Sequence, residues 1–287
     1  MVQSSRATDT YLRQLSTPES EERRSVKFAL PTTEREITVR LADDNHGRNS
    51  ARLLVNRMYS WRGYGDRHVI PSAPTHATFT ASDDDQTVGT ITLAIDSAAG
   101  LAADRIFRDE IDAFRRQPDA KVCELTKLAF DAEVPSKPLL ASLFHIVFIY
   151  GQRRHRCTDL FIEVNPRHRR FYEAMLGFKA IGELKTNQSV GAPSQLMWLK
   201  VANIRQQIDH HASRSGIVGR SLYQFFFSPR EEDGIYARLA DEDQKRTLID
   251  EPLTEDLGAT MHERLAAASL SGTARSFRDI ASRQAMS

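Results

Sequence analysis

The run DLFIEVNPRHRRFYEAMLGF, residues 159–178, carries the clearest structural punctuation in the chain. Asp159 to Val164 is a short, nearly continuous apolar stretch of the kind that forms a buried strand. Asn165 can cap a following helix, Pro166 suits its first turn, and Gly177 suits the left-handed residue past its end. A strand that runs directly into a capped helix implies an α/β unit. Upstream, Leu139 to Gly151 is the longest apolar run, broken by His145, and predicts a buried helix over 138–153. That run is too short for a membrane span of ~20 residues.

Further upstream, Lys121 to Asp131 alternates as a central strand should. Ala102 to Arg116 places Phe107, Ile111 and Phe114 on one helical face, and Thr78–Ala81 with Gln86–Asp96 makes an antiparallel hairpin around Asp83, Asp84 and Asp85. Leu54, Met58 and Trp61 give a helix over 48–61 its apolar face, Gly63 ends it, and Ile37, Val39 and Leu41 alternate ahead of it. Ser194 to Val201 supplies a last strand. The order specifies an α/β or α+β sandwich. Three regions are expected: a polar N-terminal arm over 1–34, a main domain over 35–202 and a helical extension over 203–287. In the extension, Tyr223, Phe225, Phe226 and Phe227 read as a packing cluster.

The composition is that of a folded protein, with 40% hydrophobic and 27% charged residues in 287. Lysine and arginine total 39 against 38 acids, so the overall balance does not mark a nucleic-acid binder. Cys123 and Cys157 lack metal-ligand spacing and read as buried, reduced thiols, from which a cytoplasmic location is expected. Residues 1–30 have no apolar core, so no secretory leader is expected.

Several further motifs accompany Asn165-Pro166-Arg167-His168, Phe171-Tyr172 and Leu176-Gly177-Phe178. They are Arg57-Met58-Tyr59, Arg62-Gly63-Tyr64, Val88-Gly89-Thr90, Gly100-Leu101, Glu124-Leu125-Thr126-Lys127-Leu128-Ala129 and Gly191-Ala192-Pro193. Together, in this order over about residues 35–202, they resemble the long-chain N-acyl amino acid synthases, relatives of the acyl-homoserine lactone synthases. The resemblance implies an acetyltransferase-like (GNAT) fold with a mixed, splayed central sheet. It also implies transfer of a fatty acyl group from acyl carrier protein to the α-amino group of an amino acid. No permanently bound cofactor is implied, the donor being an acyl-phosphopantetheine. Acyl-CoA remains open as the donor, with a small amine as acceptor, and so does a catalytically inactive, partner-binding relative.

The residues themselves bear on the donor. Acetyl-CoA users of this fold cradle a pyrophosphate on glycine-rich backbone N–H groups opening the helix after the central strand. Here that loop, Glu133 to Pro138, has two prolines and no glycine.

Amide formation needs a base for the amine, donors for an oxyanion and a proton for the leaving thiolate. Glu124, between apolar neighbours, is the first candidate base and Glu110 the second, with a structural ion pair the alternative for either. A bulge in the central strand would aim a backbone N–H near Leu128 or Ala129 at the thioester carbonyl and group Thr126, Lys127, Leu128 and Ala129 around it. Tyr172 stands where many enzymes of this fold keep a phenolic proton donor, core packing being its alternative. Arg57 or Arg62 can pair the amino acid's carboxylate, and Tyr64 and Asn165 complete the set of binding residues implied. An acidic carrier protein needs a basic patch, and the helix ends at Arg153, Arg154, His155 and Arg156 and at Arg167, His168, Arg169 and Arg170 are the candidates.

Overall fold

A computed structural model describes residues 25–30, 35–131, 133–134, 137–212 and 220–250. Eight strands form one mixed sheet: β1 (Val26–Ala29), β2 (Glu36–Leu41), β3 (His76–Asp83), β4 (Gln86–Ile95), β5 (Val122–Phe130), β6 (Asp159–Val164), β7 (Lys179–Asn187) and β8 (Ala192–Lys200). The spatial order is β1-β2-β3-β4-β5-β6-β8-β7, and only β5 and β6 run parallel. Helix α1 (Asn45–Trp61) enters between β2 and β3, α2 (Asp104–Arg115) between β4 and β5, and α3 (Lys137–His155) crosses from β5 to β6. A single 3-10 turn, Pro166–His168, leads into α4 (Arg169–Leu176). Beyond β8 come α5 (Val201–Ala212), a 3-10 turn at Tyr223–Phe225 and α6 (Pro229–Asp250).

The sheet has apolar layers on both faces. Leu93, Cys123, Leu125 and Leu160 pack against α3, which is buried along nearly its whole apolar length, while Ala94, Val122 and Phe161 face Phe107 and Ile111 of α2. Asn165 caps its turn as expected, accepting from the Arg167 N–H at 3.2 Å, and Gly177 has φ +80°. Both cysteines are free and buried. No helix of the described residues is long and apolar enough to cross a membrane.

Three expectations change. The folded chain begins before Arg35, because Val26–Ala29 pairs antiparallel with β2; the rest of the polar arm lies outside the described residues. Strand β7 was not expected, and its residues are mostly in contact with water because it forms the sheet's outer edge. Trp61 is 77% exposed rather than part of the apolar face of α1, and the Arg62 guanidinium lies 5.3 Å from its ring centroid.

Residues 220–240 pack against α3 through the aromatic cluster. Buried His145 accepts the Phe227 N–H at Nδ1 (2.9 Å), so its Nε2 carries the proton and donates to Glu232 Oε1 at 3.0 Å. Arg205 donates twice to the same carboxylate, at 2.9 and 2.7 Å, and Phe226 stacks on the imidazole at 4.4 Å. Histidine and arginine hold Glu232, 1% exposed, down to a pKa of about 2 against the opposing effect of burial. Removing that carboxylate leaves buried donors unpaired. Glu232→Ala is expected to cost about 3 kcal/mol of stability in urea unfolding, whereas Asp233→Ala, at an exposed partner of Arg153, should cost under about 1 kcal/mol.

Candidate active site

Pairing between β5 and β6 runs only from Val122 opposite Asp159 to Leu125 opposite Ile162, yet the strands continue to Phe130 and Val164. Past that point they part, and a cleft of about 440 Å³ opens between Thr126–Phe130 on one side and Glu163–Asn165 on the other.

Strand β5 is also bulged. Thr126 lies opposite Thr92 and Ala129 opposite Thr90, so Lys127 and Leu128 together face the single residue Ile91. Lys127 takes φ +52°, a left-handed conformation rare for a side chain of its size. The bulge breaks the two-residue alternation. It brings Lys127, which strict alternation would turn away, into the lining of the cleft beside Thr126, Leu128 and Ala129. Tyr59 donates its hydroxyl proton to the Leu128 carbonyl at 3.4 Å.

At the inner end lies Glu124, 1% exposed. Its Oε2 accepts the Ala103 N–H at 3.2 Å. Burial dominates and pushes its pKa up to about 7, with the nearby Glu163 carboxylate adding to the rise and the backbone donors opposing it. The loop that presents Ala103 is braced by Arg115, which bridges Asp96 and Asp104 with contacts of 2.7–2.8 Å. Asp104 in turn accepts the Leu101 N–H at 2.7 Å. Gly100 in this loop has φ +74°, and a Cβ there would lie 2.5 Å from the Asp104 carboxylate. Only glycine fits.

The other candidates divide. Arg62, Tyr64, Asn165 and Tyr172 line the cleft; Arg62 also donates to the Met58 carbonyl at 2.8 Å. Burial raises the phenols of Tyr59, to about 12, and Tyr172 above the ordinary value, so both remain protonated at neutral pH. Glu110 and Arg57 are not among the lining residues. Glu110 pairs with Lys185 at 2.6 Å, facing β7, and Arg57 pairs with Asp131 at 2.6 Å. Of the basic groups, His168 lines the cleft and Arg167 bonds the Tyr64 hydroxyl at 3.0 Å beside it. Arg153 instead faces α6, paired with Glu232 and Asp233.

Two lining residues had no distinguishing signal in the sequence. Arg105, in the first turn of α2, carries no ion pair among the described residues. Its charge, after burial, depresses the pKa of Lys127. Glu163 accepts from Asn187 and Ser194, each at 2.6 Å. No group of His, Cys, Asp and Glu among the described residues has the arrangement to hold a metal ion.

The model of the N-acyl amino acid synthase FeeM matches residues 50–200, more than half of the chain. This chain belongs to the FeeM family of N-acyl amino acid synthases. It is an N-acyltransferase with an acetyltransferase-like fold. The solved structure of FeeM, from uncultured soil microbes, is 31% identical and aligns over 60% of this chain and 95% of its own, with a TM-score of 0.54. The AHL synthase LasI is 12% identical over 58% of this chain and 91% of its own, with a TM-score of 0.46. An acyl-CoA N-acyltransferase from Pseudomonas aeruginosa is 12% identical over 56% and 97%, with a TM-score of 0.41. Among curated proteins none matches.

The raised pKa of Glu124 has a stability consequence. The folded protein holds this proton more tightly than the unfolded chain does. The stabilisation is therefore complete below about pH 4.5 and is lost as pH rises through about 7. Glu124→Gln, which keeps an acceptor for Ala103, should match wild type in unfolding at pH 4.5 and exceed it at pH 8 by up to about 3 kcal/mol.

Proposed function

We propose that this N-acyltransferase joins a fatty acyl group, carried as a thioester on acyl carrier protein, to the α-amino group of an amino acid. One observation carries the reading: a buried carboxyl with a pKa of about 7 lines the gap between two parted strands, on the same strand as a bulge three residues on. The parted strands admit an extended pantetheine arm. A backbone N–H of the bulged segment, near Leu128 or Ala129, would donate to the thioester carbonyl.

The acceptor end is marked by Glu124, Arg105 and Lys127. Arg105 and Lys127, two cations of the cleft lining close enough for one charge to depress the other's pKa, would form a receptor for one carboxylate, and a bound anion would relieve their mutual repulsion. Glu124 takes a proton from the ammonium, directly or through water, and the amine nitrogen attacks the thioester carbon. The oxyanion collapses, the C–S bond breaks, the departing thiolate takes the phenolic proton of Tyr172, and the second proton shed by the acylated nitrogen returns to the phenolate, directly or through water. An amide and a free pantetheine thiol result.

Carrier protein rather than CoA is favoured as donor by the loop after β5. The Glu133 N–H is turned inward to Asp131 Oδ1 at 3.1 Å and the Val134 N–H to the Asp131 carbonyl at 3.3 Å. Neither is left to grip a pyrophosphate. Arg62, which lines the cleft, and Arg167, bonded to the Tyr64 hydroxyl beside it, provide positive charge for an acidic carrier.

The test is purified enzyme with lauroyl carrier protein or lauroyl-CoA and a pool of twenty amino acids, with products identified by mass spectrometry. N-lauroyl amino acid is expected from the carrier at a kcat/KM at least tenfold above that from CoA. The rate should rise with pH through about 7, and Glu124→Gln should lose about a hundredfold or more. Equal use of CoA contradicts the donor assignment, and full activity in Glu124→Gln removes the carboxyl from the mechanism. Arg105→Ala should raise KM for the amino acid about tenfold with little change in the KM for the donor.

A further inference from the structure

Behind the cleft lies a second cavity of about 30 Å³, room for two or three water-sized groups. Leu125 and Phe144 line both spaces, so those two side chains are the wall between them. Leu125 adjoins Thr126, where the strands part, and points to the α3 face of the sheet. The inner cavity is almost wholly apolar. Its polar lining groups include Gln152, the two thiols and Tyr223, whose hydroxyl already donates to the Leu176 carbonyl at 2.8 Å. A dry pocket of this kind takes hydrocarbon and rejects water.

The far wall comes from outside the family match, which ends at residue 200. Ile204 of α5 and Tyr223 and Phe226 of the following segment close it. These side chains are held from behind. The Leu222 N–H donates to the Met175 carbonyl at 3.0 Å, and Phe226 is stacked on His145. Such a wall can act as a stop because it is fixed on both sides.

We propose that the C-terminal extension sets the acyl-chain length: the end of the fatty tail passes Leu125 and Phe144, enters the inner cavity and abuts Phe226 and Ile204. The inference rests on the transfer reading above for the position of the thioester, but its occupant is identified by the cavity's own chemistry, an unbranched hydrocarbon terminus. Enlarging the end wall admits longer tails, and filling the cavity excludes them.

Two variants and two readouts test it. Phe226→Leu enlarges the cavity and Ile204→Phe fills it. The first readout is displacement of a polarity-sensitive fluorescent fatty acid by free fatty acids of eight to eighteen carbons, which needs no turnover. The second is the product distribution from an equimolar mixture of acyl carrier proteins spanning the same lengths. Phe226→Leu should move the optimum to longer chains and Ile204→Phe to shorter ones, each by roughly tenfold in the ratio of neighbouring long and short members. An unchanged order of displacement in both overturns the inference. A shifted order with no N-acyl amino acid from wild type supports the cavity assignment and removes the transfer reading instead. Should Phe226→Leu fail to fold, as read by its thermal transition, Ile204→Phe decides alone.

Discussion

Strands β5 and β6 are hydrogen-bonded neighbours for four residues and then separate, and the cleft exists because they do. Separation leaves strand edges without ladder partners, so it has to be enforced from both sides. On β5 the enforcement is the bulge, which holds Lys127 at positive φ and ties the Leu128 carbonyl to Tyr59. On β6 it is the capped turn at Asn165 together with Glu163, whose carboxylate is taken by Asn187 of β7 and Ser194 of β8. Each side is thus stabilised away from the other, and the space between is lined rather than collapsed.

Glu124 sits where pairing is still intact, opposite both Ala94 and Phe161. Full strand pairing fixes its position and excludes water, and exclusion of water raises its pKa toward neutrality. A carboxyl in the open part of the cleft would be solvated and would titrate as an ordinary acid. Placement one step inside the point of separation therefore brings its pKa to about 7 while it still lines the cleft, which is what the proposed base requires. The brace from Arg115 through Asp104 to the Ala103 backbone serves the same end from the α2 side.

Much of this was legible in the residues. Apolar neighbours announced the burial of Glu124, and the Asn-Pro start and Gly end of the segment around α4 announced that segment's limits. Other parts had no local signal. Strand β7, reading KAIGELKTN, is an edge whose residues mostly meet water, so the alternation that marks a half-buried strand is missing. The bulge falls at a lysine where local rules would ask for glycine, because tertiary packing and not propensity imposes the conformation. Glu110 stood second to Glu124 as a candidate base, and only its Lys185 partner, 75 positions away, sets it apart. Arg105 read as an ordinary polar position in the first turn of a helix, and its charge comes near Lys127 only once α2 packs beside the cleft.

The central claim is that the parted strands hold the reacting carbonyl against the bulge. A crystal structure of the enzyme with an uncleavable ketone analogue of an acyl-pantetheine tests it most directly. The account predicts the arm threaded between β5 and β6, with the ketone oxygen within about 3 Å of the Leu128 or Ala129 nitrogen and the α-methylene facing Glu124. An analogue bound outside the gap, or strands drawn together with the ketone remote from the bulge, would contradict it.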